Sequence, residues 1–443
     1  MSSLHLALFL DPTGCHYAGW RMPSAKKVPQ ASEWSVLKDL TLKAEAAKFD
    51  MVFMADKLSI DDIYNRSFAD AVHHRITERP EPFSVLSALG AVTEKIGLAG
   101  TVSSSFIQPF AAARTLATLD HLTGGRAAWN VVTSTSDAEA SNFGQQLLSH
   151  DQRYLKAEAF IDAVRTLWDT WDDNAIIGDR ENGVYAIGER IRYADIDNDW
   201  FKVKGPLNVP RSPQGHPVTI QAGGSGAFTA LAARKADAIF AAEKPNLASA
   251  QQYYAQLKKQ VAEQGRSPDS LKVLPGLQPI IGATQKEADD LLNELTQLHH
   301  PLATLSHLSN TMNYDWGQHK LDEAVPDIAA QLGRRERFEP MLNHARENGM
   351  TLRQFAKWVA RSGFIVAGTA ESLAERIATW YQERAVDGFV IMPPYVPGAS
   401  DDFFTKVVPI LQERGVFRSE YQADTLRGHL GLERPSRRVN RFG

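Results

Sequence analysis

Asp56, Thr101, Ser103 and Asn130 each stand at or near the end of a short apolar run, within Ala55-Asp56-Lys57, Thr101-Val102-Ser103-Ser104-Ser105 and Trp129-Asn130-Val131-Val132-Thr133-Ser134. A carboxylate, two hydroxyls and a carboxamide gathered at one place offer many donors and acceptors, which suits a heteroaromatic ring better than a metal ion. His150 and Tyr154 are four residues apart, so on a helix they share a face; packing alone uses the same spacing. Gly223-Gly224-Ser225-Gly226 joins another apolar run to an amphipathic stretch. The backbone amides of such a helix start, here Gly224 and Ser225, form an anion site strengthened by the helix dipole, and they also serve as plain tight turns. Near the amino terminus one loop carries His16, Trp20 and Arg21. His16 has the chemistry of a general base or a hydrogen-bond donor to substrate, and Arg21 that of a carboxylate partner; anchoring of the loop by Trp20 is an equally good account. Cys15 has no adjacent strong cation and reads as packing.

For these groups to meet, the runs that carry them must lie side by side and parallel. Short Val-, Ile- and Phe-rich runs alternate with amphipathic stretches, the pattern of repeated strand and crossover-helix units. Strands are expected over 5–10, 51–56, 96–104, 126–133, 218–222, 238–242, 273–282 and 388–392, with helices over 31–48, 81–95, 110–122, 149–171, 225–235, 247–264 and 401–413. Pro82 sits at a tolerated first-turn position, and Ser149 with Gln152 has the spacing of a capping box. About eight such units is the number at which a parallel sheet closes, so the fold class is α/β, a TIM (β/α)8 barrel. Residues 1–417 form one barrel domain, with a loop-rich insertion at 172–217 after strand four. A helical excursion at 286–385 between strands seven and eight, with little strand character, is expected as a lid or helical cap beside the barrel mouth. Residues 418–443 are expected as a carboxyl-terminal extended arm or a disordered end, solvated rather than serving a binding role. In a closed parallel barrel the active site lies at the carboxyl ends of the strands, where the polar residues above are found.

Composition bounds the function class. The 443 residues are 43% hydrophobic and 23% charged, enough to bury a core without metals or disulfides. A net charge of −4, with no basic run interleaved with aromatics, argues against nucleic acid as a partner. The single cysteine fits a reducing cytoplasm, and no window approaches about 18 consecutive apolar residues, so neither export nor a membrane span is expected.

Longer tracts carry a resemblance. Gly125-Arg126-Ala127-Ala128-Trp129-Asn130-Val131-Val132-Thr133-Ser134, Asn142-Phe143-Gly144, His150-Asp151-Gln152-Arg153-Tyr154, Leu167-Trp168-Asp169-Thr170-Trp171 and Gln221-Ala222-Gly223-Gly224-Ser225 resemble the bacterial-luciferase-like flavin monooxygenases, within them the nitrilotriacetate and dibenzothiophene-sulfone monooxygenase branch. The resemblance covers most of the chain. It implies a monooxygenase that uses O2 and reduced FMN (FMNH2), the latter supplied by a separate NAD(P)H:flavin reductase, on a small sulfur- or nitrogen-containing substrate. Homodimers or homotetramers are the family's habit. By motif position, Asp56, Thr101 or Ser103, Asn130, His150, Tyr154, Gly224 and Ser225 correspond to flavin contacts, with Tyr154 and Ser225 nearest the phosphate. His16, Asn130 and His150 are the candidates for a catalytic role, and His16, Trp20 and Arg21 for substrate contact. The tract Val102-Ser103-Ser104-Ser105-Phe106 departs from the branch's more usual Ser-Thr-Thr. Three rivals predict different behaviour: a barrel hydrolase using His150 and Asp56 has no flavin affinity, a non-catalytic flavin carrier has no turnover, and a deazaflavin-dependent oxidoreductase differs in cofactor titration.

Overall fold

The computed structural model describes residues 4–26, 30–224, 226–241, 244, 246–332, 335–361 and 365–437. Strands buried on both faces must be apolar almost throughout, and Met51–Met54 is buried at every residue. Eight strands follow this rule: β1 (His5–Phe9), β2 (Met51–Met54), β3 (Gly97–Ser103), β4 (Ala127–Val132), β5 (Val218–Gly223), β6 (Ala238–Ala241), β7 (Lys272–Ile281) and β8 (Gly388–Ile391). Each pairs in parallel with the next, and β8 pairs with β1 from His5↔Gly388 to Leu8↔Ile391, which closes the barrel. Successive side chains point to opposite faces. Ala7, Phe53, Ala99, Ala128, Ile220 and Val390 therefore fill the barrel interior as one cluster, while Leu6, Val52, Leu98 and Trp129 join the core between strands and helices. Trp129 is fully buried there, its ring 5.5 Å from that of Trp168 at 75°.

Helix starts follow their caps. Glu81 accepts from Phe83 N at 2.9 Å and Ser84 N at 2.6 Å ahead of helix Pro82–Gly90, and Ser149 with Gln152 forms both halves of a capping box ahead of His150–Trp168. The stretch after β4 holds two small hairpins, Ile176–Asp179 with Val184–Ala186 and Ile196–Asp197 with Lys202–Val203. Between β7 and β8, helices Gln285–Leu298, Pro301–Met312, Arg335–Glu347 and Leu352–Arg361 build a cap. The cap has its own core of Leu305, Trp316, Leu342 and Phe355, to which Tyr64 from the loop after β2 contributes. One expectation is corrected here. The excursion contains a strand, Ile365–Gly368, which pairs in parallel with the end of β7 from Gln278↔Ile365 to Ile281↔Gly368 and leads into Ala370–Gln382, the crossover helix to β8. Four residues are too few to show a period of two, so the sequence hid it.

The stretch following Phe417 is also more than a solvated arm. Arg418 pairs with buried Asp50, Tyr421 Oη donates to Phe49 O at 2.6 Å, and Arg427 Nη2 donates to Asp237 Oδ2 at 2.8 Å. Leu426 and Leu430, each 0% exposed, join the interior cluster of the barrel with Ala7 and Met51. Met51 and Gly97 begin their strands, and a Cβ on Gly97 would come within 2.6 Å of Leu426, so the arm plugs the end of the barrel away from the mouth. Leu426→Ala is therefore expected to lower the unfolding free energy by about 2–5 kcal/mol, the range for truncating a buried leucine. Urea denaturation measures this; a change within about 0.5 kcal/mol would mark the arm as ordinary surface.

Candidate active site

Above the apolar interior the inward-facing positions turn polar. Thr101 and Ser103 lie two and four residues beyond inward Ala99, and Asn130 lies two beyond Ala128, directly across from Thr101 in the sheet register. Beneath them Phe9, Phe53 and Phe240 make an edge-to-face floor, with ring centroids 5.4 and 4.6 Å apart. Thr101 Oγ1 donates to Met54 O at 3.1 Å, so it must accept from Asn130 Nδ2, 3.2 Å away. With its nitrogen so engaged, the Asn130 amide oxygen is left buried and without a partner. Gln278, inward-facing on β7, likewise has a buried Oε1 without a partner. A buried acceptor left unpaired costs about 1–3 kcal/mol, and a ligand N–H would recover it. The serines are spoken for: Ser103 Oγ lies 2.9 Å from Ser134 Oγ, Ser104 Oγ donates to Val132 O, and Ser105 Oγ donates to Thr133 O.

The loop after β1 is stitched to the loop after β8. Cys15 N donates to Pro393 O at 2.8 Å and His16 N to Pro394 O at 3.2 Å. Gly14, at φ +86°, makes that approach possible, since a Cβ there would come within 2.6 Å of Pro394 O. His16 is buried with both ring nitrogens engaged: Nδ1 accepts from Ala18 N at 3.1 Å, so Nε2 donates to Ala360 O in the cap, also at 3.1 Å. Burial pushes its pKa down to about 4, against the raising effect of the Ala360 carbonyl, so the ring is neutral near pH 7. His16 is thus placed as a tie between mouth loop and cap. Trp20 has a buried indole N–H without a partner, and Arg21 reaches Leu298 O at the surface.

Asp56 follows β2. Burial, then the negative charges of Glu81 and Glu139, push its carboxyl up to about 6, with Arg79 opposing. Glu139 is itself fixed by accepting from Leu58, Thr135 and Ser136 amides. Farther along the same loop, buried Asp61 takes ion pairs from Lys57 and Arg75, with His307 Nδ1 3.4 Å away.

His150 and Tyr154 share a face as their spacing predicts, with ring centroids 4.9 Å apart. His150 is partly exposed, and its Nδ1 lies 2.9 Å from Asp151 Oδ1. Gly224 precedes helix Gly226–Lys235, and a Cβ on it would meet open space. Ser225 lies outside the described residues. The strands bring Asp56, Thr101, Ser103 and Asn130 to one mouth, with His150, Tyr154 and Gly224 on the β4 and β5 side and His16, Trp20 and Arg21 on the β1 side. Sequence reasoning passed over Gln278, Arg75 and Arg79. Gln278 had a readable signal, a polar residue within a predicted strand; the arginines had none, because they sit in a loop whose path the cap decides. Among the described residues no three His, Cys, Asp or Glu side chains converge as a metal site, and no helix is long and apolar enough to cross a membrane.

Comparison with known proteins agrees with this geometry. Residues 17–388 match the family model described as luciferase-like monooxygenase. The chain is 43% identical to N-acetyl-S-(2-succino)cysteine monooxygenase of Bacillus subtilis (strain 168), over 99% of this chain and 98% of that protein. It is 41% identical to nitrilotriacetate monooxygenase component A of Aminobacter aminovorans, over 98% of each. Among solved structures, riboflavin lyase with modified FMN and riboflavin superposes with a TM-score of 0.86 at 30% identity, covering 98% of this chain and 96% of that one. With a closed eight-stranded barrel, polar groups ringing its carboxyl-end mouth and near-full-length matches of this kind, the chain belongs to the luciferase-like monooxygenase family.

Proposed function

We propose that this flavin-dependent monooxygenase takes reduced FMN from a separate NAD(P)H:flavin reductase and, with O2, oxygenates a small sulfur- or nitrogen-containing substrate. The relatives named above support the substrate class, and the FMN in the riboflavin lyase structure supports the choice of flavin. The observation that carries the reading is the unpartnered Asn130 Oδ1 at the mouth, held as an acceptor by Thr101. A flavin fits this site: its ring offers an N–H to Asn130, Gln278 adds a second buried acceptor, and the three-phenylalanine floor accepts a flat apolar edge. When bound, reduced flavin supplies the electrons and activates O2. The chain's own part is to orient the ring through Asn130 and Thr101, to bind phosphate through Tyr154, Gly224 and Ser225, with His150 against Tyr154, and to exclude water with the cap that His16 ties down. Oxygen-uptake assays with a flavin reductase, NADH and a panel of sulfur and nitrogen compounds test this. Substrate-dependent product is expected only with the reductase present, and efficient NADH oxidation by this chain alone would overturn it.

The phosphate assignment has its own test. Ser225 directly precedes helix Gly226–Lys235 in the sequence, whose dipole favours an anion at its start, and Tyr154 brings a phenol able to donate. Tyr154→Phe combined with Ser225→Ala removes two donors to a charged group, each worth roughly 1.5–3 kcal/mol. FMN affinity is expected to fall at least about tenfold while riboflavin affinity stays nearly unchanged. Equal losses for both flavins would place these residues on the ring or on the fold instead.

Asp56 gives a pH signature. Its folded-state pKa is raised from 3.8 to about 6, so the folded protein holds that proton more tightly than the unfolded chain does. The stability contributed by protonated Asp56 is present at low pH and lost as pH rises from about 4 through about 6. Asp56→Asn has no proton to lose, so its stability relative to the wild type should climb over that window and level off above it. Denaturant unfolding at several pH values reads the difference, and a flat difference would contradict the assignment.

A further inference from the structure

Between the loop after β1 and the segment after β2 lies a cleft of about 370 Å³ of empty space, part of it open to solvent, lined among others by Asp11, Thr13, Trp20, Arg75 and Arg79. We propose that this cleft is a carboxylate-binding subsite, and that the substrate of the enzyme therefore carries at least one carboxylate. The word substrate rests on the flavin reading above; the anion site itself does not.

The charge balance favours an anion. Asp61 is one carboxylate facing two fixed cations, Lys57 and Arg75, which leaves one positive charge in excess. Arg79 adds another: it donates to Glu78 O at 2.7 Å, acts on Asp56 only through its field, and forms no direct ion pair among the described residues. Asp11 also lines the cleft and keeps its negative charge, its Oδ1 accepting from Thr13 N at 3.0 Å and Thr13 Oγ1 at 2.6 Å, so the two lining arginines outnumber the one lining carboxylate. The excess is local, because the whole chain carries −4 and would otherwise repel anions.

Unpaired donors point the same way. The Arg75 side chain is 9% exposed, and its Nε is buried without a partner. Trp20 Nε1, from the opposite wall, is also buried without one. Two orphaned N–H groups from separate loops, lining a cleft that holds excess positive charge, match an acceptor ligand; the planar fork of a guanidinium matches the two oxygens of a carboxylate. Burial pushes the Arg75 pKa down to about 10, which still leaves it charged at neutral pH. The cleft stands above β1 and β2, across the barrel from the β4 and β5 side that carries Tyr154 and Gly224, so it is separate from the phosphate site proposed above.

Isothermal titration of the full chain, without flavin, tests the site using succinate and its neutral analogue succinamide. Succinate is expected to bind at least about tenfold more tightly, a difference that shrinks with added salt. Arg75→Met and Arg79→Met should each reduce succinate affinity severalfold or more. Arg75→Met leaves Asp61 short of a partner and risks misfolding, whereas Arg79 is exposed, so Arg79→Met keeps the test decisive. FMN and riboflavin titrated into the same variants should bind as they do to wild type. Equal affinity for succinate and succinamide overturns the proposal, and so does a loss of FMN but not riboflavin binding in Arg79→Met, which would make the arginine a holder of the cofactor phosphate. Selective succinate binding by a wild-type chain that binds no flavin would sustain the anion site while removing the flavin reading.

Discussion

Closure of the parallel sheet is the constraint on which the rest depends. Eight strands leave no edge only if β8 meets β1, and there the backbones come so close that a Cβ on Gly388 would overlap His5 O. Once closed, the barrel has an interior that side chains must fill and two ends that something must cover. Ala7, Ala99 and Ala128 keep the inside narrow, and the rings of Phe9, Phe53 and Phe240 fill it toward the mouth. Leu426 and Leu430 of the arm cover one end, and the helical cap between β7 and β8 covers the other.

The same closure decides which polar groups become chemistry. Buried polar groups away from the mouth are mostly absorbed by structure: Arg126 serves Thr93, Ile96 and Gly90, and Arg211 pairs with Asp169 and Asp173. At the mouth, Asn130 Oδ1, Gln278 Oε1, Trp20 Nε1 and Arg75 Nε are left over. An orphan alone does not mark a site, since Gln221 Oε1 is also unpaired but lies on the outward face of β5, behind the barrel. Convergence with a cavity, displaced charge and open strand ends is what separates the mouth from such cases. His16 shows the opposite outcome: a residue with catalytic chemistry becomes, through two backbone hydrogen bonds and a lowered pKa, a neutral clasp between loop and cap.

Much of this is legible in the sequence. The alternation of short apolar runs with capped amphipathic stretches determined the strands, their order and the closed barrel, because burial on both faces leaves no other composition for a parallel strand. It also determined that Asp56, Thr101, Ser103 and Asn130 share a mouth, since strand ends in a barrel converge, and that His150 and Tyr154 share a face, since helical geometry is local. What only the tertiary structure decided depends on contacts between segments far apart in sequence. The strand Ile365–Gly368 exists because the end of β7 offers it a partner. The arm is buried because the barrel has an open amino end, a vacancy created by closure and invisible along the chain. Thr101 rather than Ser103 supports Asn130 because the register sets Thr101 opposite it, while Ser134 takes Ser103. Arg75 and Arg79 reach the loop after β1 only because the cap and Asp61 hold their own loop there, and no local rule of sequence encodes a charge balance that four separate segments must assemble.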